Sequence, residues 1–302
     1  MELTMEDEAV FDAAFSIENK IHDSVQFMYY YHSDSTVRKV LAEDSIRLRL
    51  NHVDQFPDKL EGRAIEVYYD IALDELEREG RISKEQASIL AKANMPEKNL
   101  IIKRGENEAS FGAEKKCDAY IICFSTKKDD PNMYENYGRN GKGTFCLGFW
   151  SFVFENLRHE EYENNLGIEW IQVVYGRDAV ELLKNKILKY LNNAALSDKS
   201  RRVLVEEVLH EFRFSAKRPR YSFENERRLV VYVPEKEEIC SHLFEKYEEK
   251  EKKYLRLNID KCYLESIAAD PKNNRDVTEE LYNCLRIRGY GDAIETKDCL
   301  SK

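Results

Sequence analysis

The sequence predicts an α+β protein, a single mixed-sheet domain over residues 1–302 with helical insertions. Short runs rich in β-branched and aromatic residues alternate with longer segments whose apolar positions recur at helical spacing. The chain has 302 residues, of which 42% are hydrophobic, and this is enough to bury a sizeable core. It contains 12 glycines and 6 prolines and shows no internal repeat or low-complexity linker, which favours one continuous domain.

The first predicted elements are a helix, a strand, a short helix and a second strand. Apolar positions at helical spacing predict a helix over 6–21, before the strand-like run QFMYYY (26–31). Ser33 or Asp34 can cap the next helix by accepting a hydrogen bond from its first amides. In IRLRL (46–50) apolar residues alternate with arginine, which predicts a strand whose arginines face solvent or a ligand.

Two helical segments and several strands follow. The helical insertion covers about 62–97, where Gly80 separates two helices and Ser83 opens the second. A further helical segment covers about 178–214, and the charge-dense stretch 245–253 predicts a solvated helix face. The remaining strands are predicted by runs of β-branched and aromatic residues: LIIK (100–103), AYIICFS (119–125), GTFCLGF (143–149), IEWIQVVY (168–175) and RRLVVYV (227–233).

The composition excludes several classes of protein. Uncharged apolar runs are only a few residues long, far below the roughly 20 that cross a bilayer, and the acidic N-terminus lacks the basic start of a signal peptide. We therefore expect a cytoplasmic protein that does not enter a membrane. Seven cysteines without CxxC spacing indicate neither a zinc site nor a disulfide framework. The net charge of −10 disfavours a simple nucleic-acid binder, although KRPR (217–220), followed by Arg227 and Arg228, forms a dense basic cluster.

The segment ENE (224–226) is the first candidate site. If it lies on the strand that continues into RRLVV, Glu224 and Glu226 point to the same face, where two close carboxylates repel and raise a pKa. Such a pair could orient a ribose hydroxyl, act as a base, or stabilise an oxocarbenium-like centre. The alternative is that these glutamates pair with Arg220, Arg227 or Arg228 on an exposed edge.

The glycine-rich run YGRNGKG (137–143) is the second candidate. Its backbone amides, together with Arg139 and Lys142, could approach a phosphate. The alternative is that the same glycines form a turn that leads into the next strand.

The tyrosine-rich run MYYYHS (28–33) is the third candidate. On a strand, Tyr29 and Tyr31 share one face, while Tyr30 and His32 share the other, so one pair can pack in the core and the other can line a cleft. Ser125 ends another predicted strand at a loop, where site residues often lie, although a hydroxyl there can also close a turn.

Taken in order, these runs resemble a widespread bacterial family, domain of unknown function two-nine-seven-one. Members of that family carry the patterns YHYTS, FNDPFE, CFS, MWxHY, GVCLGF and YExEWR. The counterparts in this chain are MYYYHS (28–33), FPDKLE (56–61), CFS (123–125), MYENY (133–137), GTFCLGF (143–149) and FENERR (223–228). The resemblance spans about 28–231, and the order of the patterns carries it.

The chain departs from the family pattern at three positions. The usual histidine of the family falls on Tyr30, its asparagine on Pro57 and its tryptophan on Tyr134, so the resemblance implies no role for those side chains. The residues that the pattern retains are the site candidates that it implies: Asp58, Glu61, Ser125, Tyr137, Glu224, Glu226 and Arg228.

The order of residues is also similar to that of ADP-ribosyltransferases of the Arg-Ser-Glu type. Those enzymes hold NAD with an arginine from an early strand, a serine from a later strand and a late Glu-x-Glu. The counterparts in this chain are Arg47 or Arg49, then Ser125 with Thr126, then Glu224 with Glu226. The resemblance implies that the arginine clamps the diphosphate, that the serine and a tyrosine hold the nicotinamide ribose, and that Glu226 binds a ribose hydroxyl while the glycosidic bond breaks.

These observations predict a nucleotide site and leave three functions open. The predicted ligand-binding residues are Tyr30, His32, Arg47, Arg49, Tyr137 and Arg228, and the catalytic candidates are Ser125, Glu224 and Glu226. The predicted function is ADP-ribosyl transfer or NAD hydrolysis, with NAD as the substrate, in an effector of phage defence or toxicity. The alternative is a non-enzymatic module that binds a ligand or a partner. The third interpretation is a phosphodiesterase or nuclease, to which Asp58, Glu61 and the glutamate pair supply carboxylates.

Overall fold

A computed structural model describes most of the chain. The described residues are 26–56, 63–93, 100–102, 114–138, 141–160, 166–193, 196–234, 239, 241–249 and 252–295. The predicted helix over 6–21, and the candidates Asp58, Glu61 and Arg139, lie outside them.

The described elements confirm the predicted α+β class. The strands are β1 (Phe27–Ser33), β2 (Ile46–His52), β3 (Leu100–Ile102), β4 (Glu114–Ser125), β5 (Thr144–Trp150), β6 (Gly167–Gln172), β7 (Val174–Tyr175), β8 (Ala216–Lys217), β9 (Glu226–Pro234), β10 (Phe244–Glu249), β11 (Lys252–Ile259) and β12 (Leu264–Ala269). The helices are α1 (Asp34–Val40), α2 (Ala64–Arg78), α3 (Lys84–Leu90), α4 (Pro131–Tyr137), α5 (Phe152–Glu160), α6 (Arg177–Leu191), α7 (Asp198–Glu211) and α8 (Arg275–Ile287). No helix in the described ranges is long and apolar enough to span a membrane.

Contacts divide the chain into two compact units. The helical unit contains Met1–Asp23, Pro57–Lys115 and Val173–Ser222. The sheet unit contains Ser24–Phe56, Lys116–Gln172 and Phe223–Lys302. The organisation as a single domain over 1–302 stays a prediction.

The helical unit holds the two helical segments that the sequence predicts. The insertion at about 62–97 contains α2 and α3, and the segment at about 178–214 contains α6 and α7. Gly80 separates α2 from α3 with a φ of +69°, and Ser83 caps α3 in a reciprocal pair of hydrogen bonds with Gln86. Apolar side chains such as Leu76 and Leu183 form a core between the helices. Helical spacing therefore locates these elements well.

The sheet unit is built around an antiparallel sheet with the strand order β10-β11-β2-β4-β1-β5-β12. Strand β9 also pairs with β4, and β6 pairs with β9. The core on one face of this sheet is formed by alternating residues of each strand, such as Leu48 and Leu50 of β2. Arg47 and Arg49 therefore lie on the opposite face, as the alternation in IRLRL predicts.

Both β1 and β2 pair with the same edge of strand β4. Its other edge pairs with β9 along nine residues, from Cys117 to Ser125. On the shared edge, β1 reaches β4 at Ser125, whereas β2 reaches it at Tyr120 and Ile121. Between these points, at residues 122–124, neither strand pairs with β4. A gap therefore opens between β1 and β2.

The predicted helix at 245–253 is wrong, because its described residues, 245–249 and 252–253, lie on the paired strands β10 and β11. Opposite charges face each other across these strands in the pairs Glu245 with Arg256 and Glu248 with Lys253. Leu255 and Leu257 of β11 are fully buried on the face opposite to that of Arg256. Charge density alone does not distinguish a solvated helix from such a pair of strands.

Phe124 of β4 lies at the centre of the aromatic core of the sheet unit. Its ring centroid is 4.5 Å from that of Phe154, 5.8 Å from that of Tyr30 and 5.9 Å from that of Trp170. A side chain with so many close neighbours leaves a cavity when it is removed.

We predict that Phe124→Ala lowers the free energy of unfolding by about 3–5 kcal/mol, because the transfer and cavity terms add. Phe152→Ala is the matched control, since Phe152 is 45% exposed, and we expect it to cost about 1 kcal/mol or less. Urea denaturation measures both values. Equal losses for the two variants would contradict the assignment of Phe124 to the core.

Candidate functional site

An open groove of about 1090 Å³ lies between β1 and β2 in the sheet unit. Strand β1 contributes Tyr30 and His32, β2 contributes Arg47 and Arg49, and β11 contributes Tyr254 and Arg256. The groove brings together the four binding residues that the sequence predicts on β1 and β2. Its cationic lining is Arg38, Lys39, Arg47, Arg49, Arg256 and Arg288, against the acidic Glu43 and Asp44.

Several of these cations are already engaged. Arg47 donates to both carboxylate oxygens of Asp44 at 2.9 Å, and Arg38 donates to Glu280 at 2.8 Å. Arg288 donates to the carbonyl oxygens of Arg38 and Leu41 at 2.7 Å and so closes one end of the groove. These contacts hold the lining in place.

Arg49 is the exception among the groove arginines. Its guanidinium lies 4.2 Å above the ring of Tyr254, and within the described ranges no carboxylate lies at ion-pair distance from it. In the register of β2 and β11 it stands directly opposite Arg256. Like charges in directly opposed positions destabilise a sheet, so this pair of arginines favours an anion between or above them.

A stack of tyrosines supports the two arginines. The rings of Tyr254 and Tyr247 are parallel within 7° and lie 5.1 Å apart. Arg256 lies 4.2 Å above the far ring, that of Tyr247, and also donates to its hydroxyl at 2.6 Å. Arg49 and Arg256 are thus each pre-positioned by a cation–π contact with one ring of this stack.

Tyr30 and His32 supply neutral rings to the groove. Their ring centroids are 4.5 Å apart. Burial lowers the pKa of His32 to about 4, so its imidazole is uncharged at neutral pH. Burial, and then the negative form of Cys123, raise the pKa of Tyr30 far above its ordinary value. Both residues can therefore hydrogen-bond or stack against a ligand, and neither adds charge to the groove.

Glu226 and Arg228 form a buried ion pair on β9. Arg228 Nε donates to Glu226 Oε1 at 2.7 Å, and Nη2 donates to Oε2 at 3.2 Å. Arg228 is fully buried and Glu226 is 4% exposed. Both oxygens of this carboxylate are therefore held by one guanidinium, in the fork geometry that arginine favours.

Glu224 lies outside the strand, so the predicted common face of Glu224 and Glu226 is wrong. Glu224 ends a 3-10 helix, and Asn225 adopts the left-handed backbone with a φ of 42° before β9 begins at Glu226. The alternative is confirmed in part: Glu226 pairs with Arg228, but both glutamates are buried and not on an exposed edge. A change of backbone direction at one asparagine gives the two carboxylates different partners.

Tyr137 is the hydrogen-bonding partner of Glu224. Its hydroxyl donates to Glu224 Oε1 at 2.8 Å. Burial, followed by the charges of Glu224 and Cys123, raises the pKa of Tyr137 far above its ordinary value. In the sheet, Cys123 stands opposite Arg228.

Ser125 and the glycine-rich run form hydrogen bonds that hold turns of the backbone. Ser125 is fully buried, and its Oγ accepts a hydrogen bond from the amide of Lys127 at 3.0 Å, as in the turn-closing alternative. The amide of Lys142 donates to the Asp34 carboxylate at 2.9 Å, while the Asp34 amide donates to the Gly143 carbonyl at 3.0 Å. The Asp34 carboxylate therefore already accepts the hydrogen bond of the Lys142 amide. This supports a turn, and not a phosphate-binding loop, as the role of the glycine-rich run.

The predicted residues thus form two groups. Tyr30, His32, Arg47 and Arg49 line the groove, whereas Ser125, Tyr137, Glu224, Glu226 and Arg228 are not among the described residues that line it. Sequence reasoning missed Tyr254, Arg256 and Arg288. The first two carried a signal, since YLRLN (254–258) repeats the alternation of IRLRL, but Arg288 follows a helix and carried none.

Comparison with known families supports part of the predicted resemblance. A family model described as "Protein of unknown function (DUF2971)" matches residues 133–229. The match contains three of the runs that carry the resemblance: MYENY, GTFCLGF and FENERR. No curated protein and no solved structure matches the chain. Over the matched residues the chain is therefore similar to a family of unknown function, and the similarity to ADP-ribosyltransferases stays a prediction.

We predict that Glu226→Gln lowers the free energy of unfolding by about 3–5 kcal/mol, because it leaves the buried Arg228 without its counter-charge. Glu279→Gln is the matched control: it removes an exposed partner of Arg275 and costs less than about 1 kcal/mol. Urea denaturation at pH 7 compares them. A Glu226→Gln protein as stable as the control would show that the pair contributes little.

We also predict that His32 makes the protein less stable in acid. Its pKa is lower in the folded chain than in the unfolded chain, so between about pH 6.5 and 4 the unfolded chain binds more protons and stability falls as the pH falls. His32→Gln reduces the loss of stability between pH 7 and pH 4.5, whereas the exposed control His242→Gln does not. Urea midpoints at both pH values test this. An unchanged pH dependence in His32→Gln would contradict it.

Proposed function

We propose that the protein binds a small phosphorylated nucleotide in the groove, in the cytoplasm, and that NAD is the first ligand to test. One observation carries this proposal: Arg49 faces the groove opposite Arg256, and no described carboxylate lies at ion-pair distance from Arg49, whereas Arg256 lies 3.5 Å from Glu245. Guanidinium groups bind phosphate oxygens through paired, charge-assisted hydrogen bonds, and two opposed arginines suit the two phosphates of a dinucleotide.

The charge of the groove supports an anionic ligand. Six cations and two carboxylates line it, in a protein whose net charge is −10. This positive potential is local, so it attracts a small anion more readily than an extended polyanion that would also meet the acidic surface. Tyr30 and His32 offer neutral rings to the base or the nicotinamide of the ligand.

The contacts of Glu224 and Glu226 favour the alternative to NAD chemistry, a non-enzymatic module that binds a ligand. A carboxylate that binds a ribose hydroxyl or stabilises an oxocarbenium-like centre must face the ligand. Glu226 has both oxygens within hydrogen-bond distance of Arg228, and Glu224 accepts from Tyr137. We therefore propose binding without turnover as the first function.

Cleavage of NAD is the second candidate, and a different observation favours it. Strand β4 runs between the groove and these glutamates: the ring of Phe124 lies 5.8 Å from that of Tyr30, and the preceding residue, Cys123, stands opposite Arg228 of β9. A ligand that displaced Tyr137 would reach Glu224. The predicted roles in toxicity or phage defence depend on such turnover. The nuclease interpretation depends on Asp58 and Glu61, which lie outside the described residues.

We predict that Arg49→Gln weakens the binding of NAD and of ADP-ribose by about tenfold to a hundredfold, the effect of losing one charge-assisted hydrogen-bonding group. Arg275→Gln is the matched control, with the same change of charge on an exposed helix of the sheet unit. Isothermal titration calorimetry measures the dissociation constants. Equal binding by the two variants, or no binding by the wild type, would reject the groove as a nucleotide site.

Release of nicotinamide separates the two candidate functions. The binding module predicts that wild-type protein saturated with NAD releases none, with or without cell lysate as acceptor. Release that is abolished by Glu224→Gln in a folded protein would instead establish cleavage. This variant is preferred to Glu226→Gln, because Glu226 forms the two hydrogen bonds with the buried Arg228, whereas Glu224 accepts from Tyr137.

A further inference from the structure

One arginine of the groove already holds an anion that belongs to the chain itself. Arg47 Nη2 lies 2.9 Å from each carboxylate oxygen of Asp44, and both side chains line the groove. The hydrogen bond from Arg47 lowers the pKa of the Asp44 carboxyl, so this group is charged at neutral pH. Asp44 thus takes the position on Arg47 that the oxygens of a phosphate group could take.

The ion pair between Asp44 and Arg47 is exposed to solvent. The side chain of Asp44 is 68% exposed and that of Arg47 is 38% exposed. Exposed ion pairs contribute little to stability, because water weakens the attraction and both side chains must be held in one geometry. A ligand that brings a phosphate group to Arg47 therefore displaces Asp44 at small cost, and the released carboxylate can be hydrated.

The backbone on both sides of Asp44 is held by hydrogen bonds. The Tyr290 hydroxyl lies 2.7 Å from the carbonyl oxygen of Ala42 and 3.1 Å from that of Ser45. The amide of Ala42 also donates to the carbonyl oxygen of Ser45 at 3.1 Å, which closes the loop between them. Release of Asp44 from Arg47 therefore requires the rotation of one side chain, and the backbone that lines the groove stays in place.

Arg47 lies beside the two arginines to which the proposed function assigns the ligand. It precedes Arg49 by two residues on β2, so the two side chains share one face and start about 7 Å apart along the strand. Arg49 in turn stands opposite Arg256 of β11. A diphosphate extends further along β2 than a single phosphate, so it can contact Arg47 while it remains on Arg49.

We propose that Asp44 competes with the ligand for Arg47, and that the groove therefore prefers diphosphates to monophosphates. Only a diphosphate occupies Arg49 and also replaces Asp44 on Arg47. The inference rests on the proposed function, because it requires the phosphates of a nucleotide to bind at Arg49. The exchange breaks no covalent bond: the Asp44 carboxylate leaves the guanidinium, and phosphate oxygens accept its hydrogen bonds.

The test compares two ligands by isothermal titration calorimetry. ADP-ribose carries the diphosphate, and AMP keeps the adenosine with a single phosphate. We expect Asp44→Asn to bind ADP-ribose about twofold to fivefold more tightly than the wild type does, the effect of removing one exposed competing ion pair. We expect AMP to gain less, because its phosphate does not reach Arg47.

Glu43→Gln is the matched control for the lost negative charge. Glu43 is the preceding residue, is exposed and lines the groove, and within the described ranges Arg47 pairs with Asp44 and not with Glu43. We expect this control to bind both ligands slightly more tightly and by the same factor. Equal gains for ADP-ribose in Asp44→Asn and Glu43→Gln would overturn the inference and leave the proposed function intact. A wild type that binds neither ligand would overturn both.

A double-mutant cycle tests whether Asp44 acts through Arg47. We expect Arg47→Gln to weaken the binding of ADP-ribose about tenfold and that of AMP about twofold or less. In the Arg47→Gln protein, Asp44→Asn then gives no gain beyond that of Glu43→Gln, because the competition is already removed. A gain from Asp44→Asn that persists without Arg47, or an equal loss of both ligands in Arg47→Gln, would contradict the inference.

Discussion

The groove depends on how strand β4 divides its hydrogen bonds. Strand β9 occupies one edge of β4 along nine residues, and on the other edge β1 is held at Ser125 while β2 is held at Tyr120 and Ile121. Between these points, at residues 122–124, neither β1 nor β2 pairs with β4, and the groove lies where the two strands diverge. The placement of Arg49 opposite Arg256 is set separately, by the register of β2 and β11.

The buried pair of Glu226 and Arg228 has a different role from the groove. Taking two charges out of water costs several kcal/mol per ion, and the fork of two hydrogen bonds offsets much of this cost. The pair therefore fixes the start of β9 on the edge of β4 opposite to the one that β1 and β2 share. A chemical role for Glu226 would require Arg228 to release it, whereas Arg49 has no described carboxylate to release before it meets an anion.

The sequence was sufficient for features that depend on periodicity or on local capping. Alternation placed Arg47 and Arg49 on one face of β2, and Ser83 marked the start of α3, because both signals are contained in a few neighbouring residues. Arg256 lies on β11, just beyond the stretch 245–253 that charge density predicts as a helix, and its position opposite Arg49 depends on pairing between distant strands. Arg288 follows the end of α8. The separation of Glu224 from Glu226 depends on one left-handed residue, Asn225, which no spacing rule reveals.

The most direct test of the groove is a crystal structure of the protein grown with saturating ADP-ribose. This ligand contains the diphosphate of NAD and cannot lose nicotinamide, so its position is independent of any turnover. The account predicts that diphosphate oxygens lie within hydrogen-bond distance of the Arg49 guanidinium, between β1 and β2, with an adjoining ring against Tyr30 or His32. A ligand bound elsewhere, with Arg49 contacting only Tyr254, would contradict it.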